Sequence, residues 1–239
     1  MSNKEKYLKF ILENKNKLTN QEIADELNIS KSYVTKIKRE NNISSSIDYE
    51  VNFIQEQILI SGILGDGNYK RNGRYNYYYR ECHSILEQEY LEWKFNNLKP
   101  LTNNCAITFI PKRTPTQNNQ KNFNTKTLKE LIPYANMSIK EAILQLKDLG
   151  LILYILDDGW KHRHSKNNDT YNINLAVHGL SEEEKILLLK QFDIILGIKG
   201  KIICSDKNTI SFSKNDNIKF IEILKKYKLL GLDVTNKKF

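Results

Sequence analysis

Apolar residues recur at helical spacing along much of the chain, and two of the predicted helices end in the same way. The apolar runs in residues 59–67 and 151–159 each close on an acidic residue followed by glycine. Asp-Gly is also a common ending of a solvent-exposed helix, but here it occurs at two matching places. The separation of the two acids before glycine, Asp66 and Asp158, suits one compact half-domain each. We therefore predict a duplicated unit that contributes one carboxylate per copy.

Each acid-ending helix is followed by the pattern of a β-hairpin. After the first helix, Asn72-Gly73 is the favoured pair for a type I′ turn between two antiparallel strands. After the second helix, a polar turn precedes a strand over residues 171–177. Amphipathic helices follow over residues 87–98 and 186–196, and a second strand pair and a helix complete each half. The order helix, hairpin, helix, hairpin, helix thus occurs twice, which predicts an α+β fold of two pseudo-symmetric halves.

The start of the chain instead predicts a small all-α module. Thr19 and Glu22 form the capping box of one short helix, and Ser30 caps a second. Two short helices joined by a tight turn are typical of a helix-turn-helix, although such pairs also occur as plain packing units. In a helix-turn-helix, the second helix would read a DNA groove through its outward residues, which are Lys31, Ser32, Tyr33 and Lys36.

These patterns also predict the domain boundaries. The helix-turn-helix module covers residues 1–42, and the polar, aperiodic stretch of residues 43–52 is a linker. The two half-domains cover residues 53–136 and residues 137–239.

The chain is strongly basic. Its 37 Lys and Arg residues outnumber its 28 Asp and Glu residues, which gives a formal net charge of +9. The surplus is spread along the chain, which favours a long surface that follows a nucleic-acid backbone, although a lysine-rich soluble protein would show the same excess. The three cysteines lack CxxC spacing, and no apolar run approaches the ~20 residues that a membrane span needs. We expect no membrane partner and an intracellular, reducing location, either the cytoplasm or an organellar matrix.

Together these features resemble the LAGLIDADG homing endonucleases, in the branch that carries two motifs in one chain. The resemblance rests on the paired motifs, on the basic hairpin after each, and on the segments 81–84 and 88–94, and it covers nearly everything from Phe53 onward. It implies a monomeric, site-specific endonuclease for double-stranded DNA, whose two sheets form a DNA-binding saddle. Two alternatives stay open on the same scaffold: a DNA-binding regulator with reduced catalysis, and a maturase that binds intron RNA.

The paired acids suit metal-dependent hydrolysis of a phosphodiester. Hard divalent cations held by carboxylates activate water and offset the charge that develops on the phosphate oxygens. We therefore expect Asp66 and Asp158 to be catalytic and to bind Mg²⁺, with Mn²⁺ as a substitute, one acid serving each DNA strand. Asp157 is a second candidate at the end of its helix, as a carboxylate that does not bind metal.

The resemblance further implies a lysine near each active site. Lys237 is the candidate for one of them. At the expected place of the other the chain has Tyr134, with Lys140 nearby but displaced.

The hairpins are expected to supply the DNA-binding surface, because strand alternation turns every second side chain toward the duplex. Tyr75, Tyr77 and Tyr79 would pack on the helices, and His162 and His164 would face phosphates. A register slip of one residue would reverse these faces. The candidate DNA-binding residues of the hairpins are Lys70, Arg71, Arg74, Asn76, Arg80, Lys161, Arg163 and Asn174.

Small residues in the first acid-ending helix predict close packing against its neighbour. Gly62 and Gly65 leave little side chain between the two helices, whereas the position that matches Gly62 in the second helix is Tyr154. We therefore expect an asymmetric helix pair.

Overall fold

The computed structural model divides the chain into two compact units, Met1–Val51 and Asn52–Phe239. The finer boundaries between half-domains stay a prediction. Arg74, Tyr75 and His164 lie outside the described residues, as does the side chain of Arg163. The structure describes residues 2–15, 17–43, 49–72, 76–102, 106–163, 171–203 and 208–239.

The first unit is a small helical module. Its helices are α1 (Asn3–Asn14), α2 (Asn20–Leu27) and α3 (Lys31–Glu40). The predicted caps are confirmed: the Thr19 hydroxyl accepts from the Glu22 amide at 3.2 Å, and the Ser30 hydroxyl accepts from the Tyr33 amide, also at 3.2 Å. The helix α1 was not predicted, yet it contributes to the apolar core of the module. That core consists of Ile11, Ile23, Ala24, Val34 and Ile37.

The second unit contains the two predicted halves in sequence. The first half consists of α4 (Phe53–Leu64), β1 (Gly67–Asn72), β2 (Asn76–Ser84), α5 (Gln88–Leu98), β3 (Thr108–Ile110), β4 (Gln120–Asn124) and α6 (Ile132–Ala135). The second consists of α7 (Ile139–Gln145), α8 (Asp148–Asp158), β5 (Gly159–Arg163), β6 (Tyr171–Ala176), α9 (Glu182–Leu196), β7 (Lys201–Ile202), β8 (Thr209–Phe212), α10 (Asn217–Lys226) and α11 (Asp233–Lys238).

The duplication predicted from the motifs is confirmed by the topology. Each half forms a four-stranded antiparallel sheet, in the order β1-β2-β4-β3 and β5-β6-β8-β7. The glycine after each acid begins the first strand and pairs with the second, Gly67 with Glu81 and Gly159 with Leu175. The α+β fold class is therefore as expected, and this shared register relates positions of the two halves to each other.

The acid-ending helices α4 and α8 pack against each other, and Gly65 permits their close approach. A methyl group at Gly65 would lie 2.5 Å from the Asp157 Oδ2 atom, far inside van der Waals contact. Gly62 has another role than the one predicted, because a methyl group there would lie 2.4 Å from the hydroxyl of Tyr79 on the sheet. Tyr154 also faces its own sheet, since its hydroxyl donates to the Ala176 carbonyl at 3.1 Å.

In the first half the large residue lies on the sheet, and in the second half it lies on the helix. Tyr79 faces Gly62 in the first half, and the position in register with Tyr79 in the second half is Ile173, in the half whose helix carries Tyr154. Close packing of each helix on its own sheet sets this asymmetry. Among the described residues, no helix combines the length and the apolar character that crossing a membrane requires.

Candidate active site

The two predicted acids lie at the ends of α4 and α8, where each helix passes into the first strand of its sheet. The Asp66 side chain is 40% exposed, and Asp158 is half-buried. Ligand atoms of Asp66, His83 and Asp157 all lie within 4.8 Å of one another. Carboxylate oxygens suit Mg²⁺ and Mn²⁺. The carboxylates of this group therefore fit a divalent cation, whereas both ring nitrogens of His83 already face carboxylates.

Burial and mutual repulsion raise the pKa of both acids. Partial burial, together with the charge of Asp157, raises the pKa of Asp66 to about 7, against an opposing effect of His83 and Lys94. Burial and the charge of Asp157 likewise raise the pKa of Asp158 to about 6. Burial and the neighbouring carboxylate thus disfavour the ionised form of both acids in the metal-free site, and a bound cation would favour it.

The stability of the metal-free protein is expected to fall as the pH rises from 5 to 8. An ordinary Asp has a pKa of about 4, so in this range the unfolded chain has already lost protons that Asp66 and Asp158 retain in the folded state. Their protonated forms therefore favour folding at pH 5, and this contribution disappears through pH 6 to 7. Thermal melting with a chelator, compared between wild type and the Asp66→Asn/Asp158→Asn double variant, isolates these two groups. The variant should show the flatter pH profile, and identical profiles would contradict the expectation.

A buried ion-pair network lies beside these acids and was not predicted. Lys94 on α5 is fully buried, and its ammonium group donates to Asp157 Oδ1 at 2.8 Å and also to Glu81. The Tyr79 hydroxyl donates to Glu81 at 2.6 Å, and the Tyr90 hydroxyl donates to Asp157 at 2.8 Å. Burial alone would lower the pKa of Lys94, but the charges of Asp157 and Glu81 outweigh it and raise that pKa. Asp157 is therefore a paired carboxylate at the helix interface.

His83 connects this network to Asp66. Its Nε2 atom lies 2.7 Å from Glu81 Oε1, and its Nδ1 atom lies 3.4 Å from Asp66 Oδ2 and 3.4 Å from Glu87 Oε2. Burial would lower the pKa of His83, but hydrogen bonds to Glu81 and Glu87 raise it to about 10. The imidazole is thus charged at neutral pH and joins three carboxylates. The sequence signal for this network is that two polar residues, Glu81 and His83, occupy alternate positions on an otherwise apolar, buried strand face.

The structure places Lys238, rather than the predicted Lys237, beside the acids. Lys237 is exposed and donates to the Leu86 carbonyl at 3.3 Å. The ammonium group of Lys238 donates to the Asp157 carbonyl at 3.0 Å and also to the Leu156 carbonyl, at the end of α8. Burial lowers the pKa of Lys238, and nearby carboxylates oppose this effect. Both lysines lie on α11, which was not predicted, and adjacent residues of a helix point about 100° apart.

The first sheet presents a polar hollow next to Asp66. The hollow is lined by Lys70 and Arg80, both predicted, and also by Asn68 and Cys82. Asn76 occupies the same face of β2 as Arg80, at an exposed position. Two predicted basic residues and one acid therefore share one concave surface.

Arg71 lies on the opposite face of this sheet, contrary to its predicted role on the DNA-binding surface. It pairs with Tyr77, and the adjacent pair of Tyr69 with Tyr79 on the same face packs toward the helices. Two consecutive basic residues of one strand cannot share a face, because side chains alternate. The predicted helix-facing positions of Tyr77 and Tyr79 agree with the register.

The second sheet presents a comparable hollow lined by His162 and Asn174, together with Asn172, Lys201 and Ser211. Asn174 is only 3% exposed there. Lys161 does not face this hollow, because its register pairs it with the buried Ile173 and its ammonium group donates to the Asn236 carbonyl at 3.1 Å. Lys161 therefore lies on the face of β5 opposite to the hollow, contrary to the prediction, while His162 lies on the side of the hollow.

Two sheets of the same topology, joined through a pair of acid-ending helices, define a duplicated α+β protein with a paired-acid site. The model of the LAGLIDADG DNA endonuclease family matches residues 56–220. The chain therefore belongs to this family, as the motifs predicted. A search of curated proteins finds no significant match.

Solved structures of this fold include DNA complexes. The structure of the homing endonuclease I-WcaI bound to its DNA recognition sequence matches with a TM-score of 0.68 and 18% identity, covering 86% of this chain and 92% of that one. I-DmoI in complex with DNA and Mn matches with a TM-score of 0.45 and 15% identity, covering 72% and 97%. The N-terminal LAGLIDADG domain of DUF199/WhiA matches with a TM-score of 0.42 and 16% identity, covering 74% and 86%. The first of these supports the shared fold.

Proposed function

We propose that the chain is a site-specific endonuclease that cuts both strands of double-stranded DNA with the help of a divalent metal ion. The observation that carries this proposal is the pair of carboxylates, Asp66 and Asp158, at the ends of two packed helices that each lead into a sheet with a polar hollow. The basic hollow that includes Asp66 adds the charge that a phosphate backbone needs. One acid in each half suits one cut in each strand.

Asp66 and Asp158 would hold the cation, because their carboxylates are partly exposed and incompletely compensated. Mg²⁺ or Mn²⁺ bound there supplies an activated water and offsets charge on the phosphodiester. The chain itself would position the DNA: Lys70 and Arg80 contact the backbone or base edges from the first sheet, next to Asp66. Lys238 places an ammonium group next to Asp158, and burial lowers its pKa, so that its Nζ atom can exchange a proton more readily than an ordinary lysine.

The helical module would add contacts to DNA beside the cleavage site. Lys31, Ser32 and Lys36 are exposed on α3, and Tyr33 is half-buried there. These are the residues that a helix-turn-helix directs into the major groove. We propose that they extend the recognised sequence, and that the protein binds as a monomer.

A DNA-binding protein without cleavage is the second candidate function. The pairing of Asp157 with the buried Lys94 favours it, because an internal cation already compensates one of the acids beside the site. This candidate predicts tight, salt-sensitive binding to duplex DNA with no nicking in either metal.

A cleavage assay on a randomised duplex library tests the proposal and separates the two candidates. With Mg²⁺ or Mn²⁺, sequencing of cut ends should recover one recurring site with breaks in both strands, and a chelator should prevent them. A library that is retained by the protein but stays intact in both metals would support the non-cleaving candidate and overturn the endonuclease.

A further inference from the structure

His83 is held on both sides within the protein interior. Its side chain is 1% exposed, one ring nitrogen bonds Glu81 at 2.7 Å, and the other lies 3.4 Å from the Asp66 carboxylate. The ring also packs edge-on against Tyr90, with centroids 5.3 Å apart. Its orientation is thus determined by Glu81 and Tyr90, whereas the Asp66 side chain that it contacts is 40% exposed.

The contacts of His83 belong to a chain of alternating acids and cations that links the two acid-ending helices. It runs from Asp157 at the end of α8 through Lys94, Glu81 and His83 to Asp66 after α4. Of these side chains, only Asp66 reaches the surface, because the other four are at most 1% exposed. A buried, satisfied network of this kind restricts the positions of its members. The exposed Asp66 is therefore oriented from inside the protein.

Among the residues that the structure describes, the strands of the second half carry no counterpart of this chain. In the register set by the glycines after the acids, Glu81 corresponds to Leu175, and His83 corresponds to Val177. Both are buried and apolar. No described residue of β6 therefore offers Asp158 the contact that His83 offers Asp66.

We propose that His83, held by Glu81, is a positioning residue for Asp66 and serves only the half of the reaction in which Asp66 takes part. This inference rests on the proposed endonuclease function. A metal-binding carboxylate must be held within a fraction of an ångström of its working position, and groups that hold it are known to affect activity strongly. Loss of His83 should therefore slow one strand cut while the other cut, at Asp158, proceeds.

The test replaces His83 by valine, the residue that the second half carries at this position, and by glutamine, which retains a hydrogen-bond donor. On a cleavable duplex labelled separately on each strand, His83→Val should slow cleavage of one strand at least ~10-fold and leave the other within about two-fold. Nicked DNA should accumulate, DNA affinity should be unchanged, and His83→Gln should recover part of the rate. Equal slowing of both strands with intact folding would overturn the proposal and leave the endonuclease function standing.

A variant that keeps the buried core intact covers the case in which both His83 variants fail to fold. Glu87 is 26% exposed and shares the same ring nitrogen with Asp66. The charge of Glu87 also acts on Lys238, so Glu87→Gln should change the cleavage rate of that same strand more than the rate of the other. An equal change in both strands, or a change in neither, would count against the proposal.

A readout without DNA separates this inference from the proposed function. The readout uses metal-free protein labelled with ¹³C at aspartate carboxyl groups. His83→Gln, or Glu87→Gln if the His83 variants do not fold, should shift the Asp66 signal more than the Asp158 signal. An unmoved Asp66 signal would overturn the positioning role. If wild type cuts no DNA, the proposed function fails, and this signal alone decides whether His83 positions Asp66.

Discussion

Asp66→Asn and Asp158→Asn are each expected to abolish double-strand cleavage while DNA binding persists. An amide has the size of the carboxylate but lacks the charge that holds a divalent cation, and each half of the site contributes one such acid. The loss should be at least on the order of 10² to 10³, the size seen when one electrostatic stabiliser of a transition state is removed. Cleavage rates measured beside DNA affinity by fluorescence anisotropy check both parts of this expectation.

Asp148→Asn is the matched control for these variants. Asp148 begins the helix that Asp158 ends, and its carboxylate pairs with Lys226 at 2.7 Å on the outside of the protein. The same chemical change at the far end of α8 should leave cleavage unchanged. Full cleavage by either active-site variant would remove the basis of the proposed function.

Lys94→Met is expected to destabilise the protein by about 3–5 kcal/mol, because it leaves two carboxylates buried without their cation. Lys94, Glu81 and Asp157 are all 0% exposed at their side chains. Methionine fills similar volume, so the cost reflects the unpaired charges of Glu81 and Asp157 rather than a cavity. Urea unfolding at pH 7 measures the change, and adding Glu81→Gln to the variant should recover part of it.

Lys226→Met controls for the loss of an ion pair at the surface. The Lys226–Asp148 distance of 2.7 Å nearly equals the Lys94–Asp157 distance of 2.8 Å, but the Lys226 side chain is 60% exposed. Water already solvates this pair, so its loss should cost only about 0–1 kcal/mol. A similar small cost for Lys94→Met would show that the buried network does not stabilise the fold.

The duplication and the helical module were predictable because they depend on short-range patterns. Apolar spacing and the Asp-Gly endings are local, and so are the caps at Thr19 and Ser30. Each of these features depends on residues that are close together in the sequence, either on a side chain that bonds the nearby backbone or on the spacing of residues along one helix. These features required no knowledge of which elements meet in space.

The faces of the strands were only partly predictable. Lys70 and Arg80 line one hollow, whereas Arg71 and Lys161 lie on the opposite faces of their sheets. Basic residues next to each other in sequence do not reveal which of them faces a ligand, because a shift of one residue exchanges the two faces.

By itself, the sequence determined that two acids, each at the end of an apolar helix, belong to two copies of one α+β unit in a basic chain. Only the tertiary structure decided what surrounds those acids. Lys94 pairs with both Glu81 and Asp157, which lie on other elements, and Lys238 reaches the site from a helix that no pattern predicted. The physical reason is that burial and long-range packing, rather than residue type, make a lysine, a histidine and a glutamate into one network that joins the two halves.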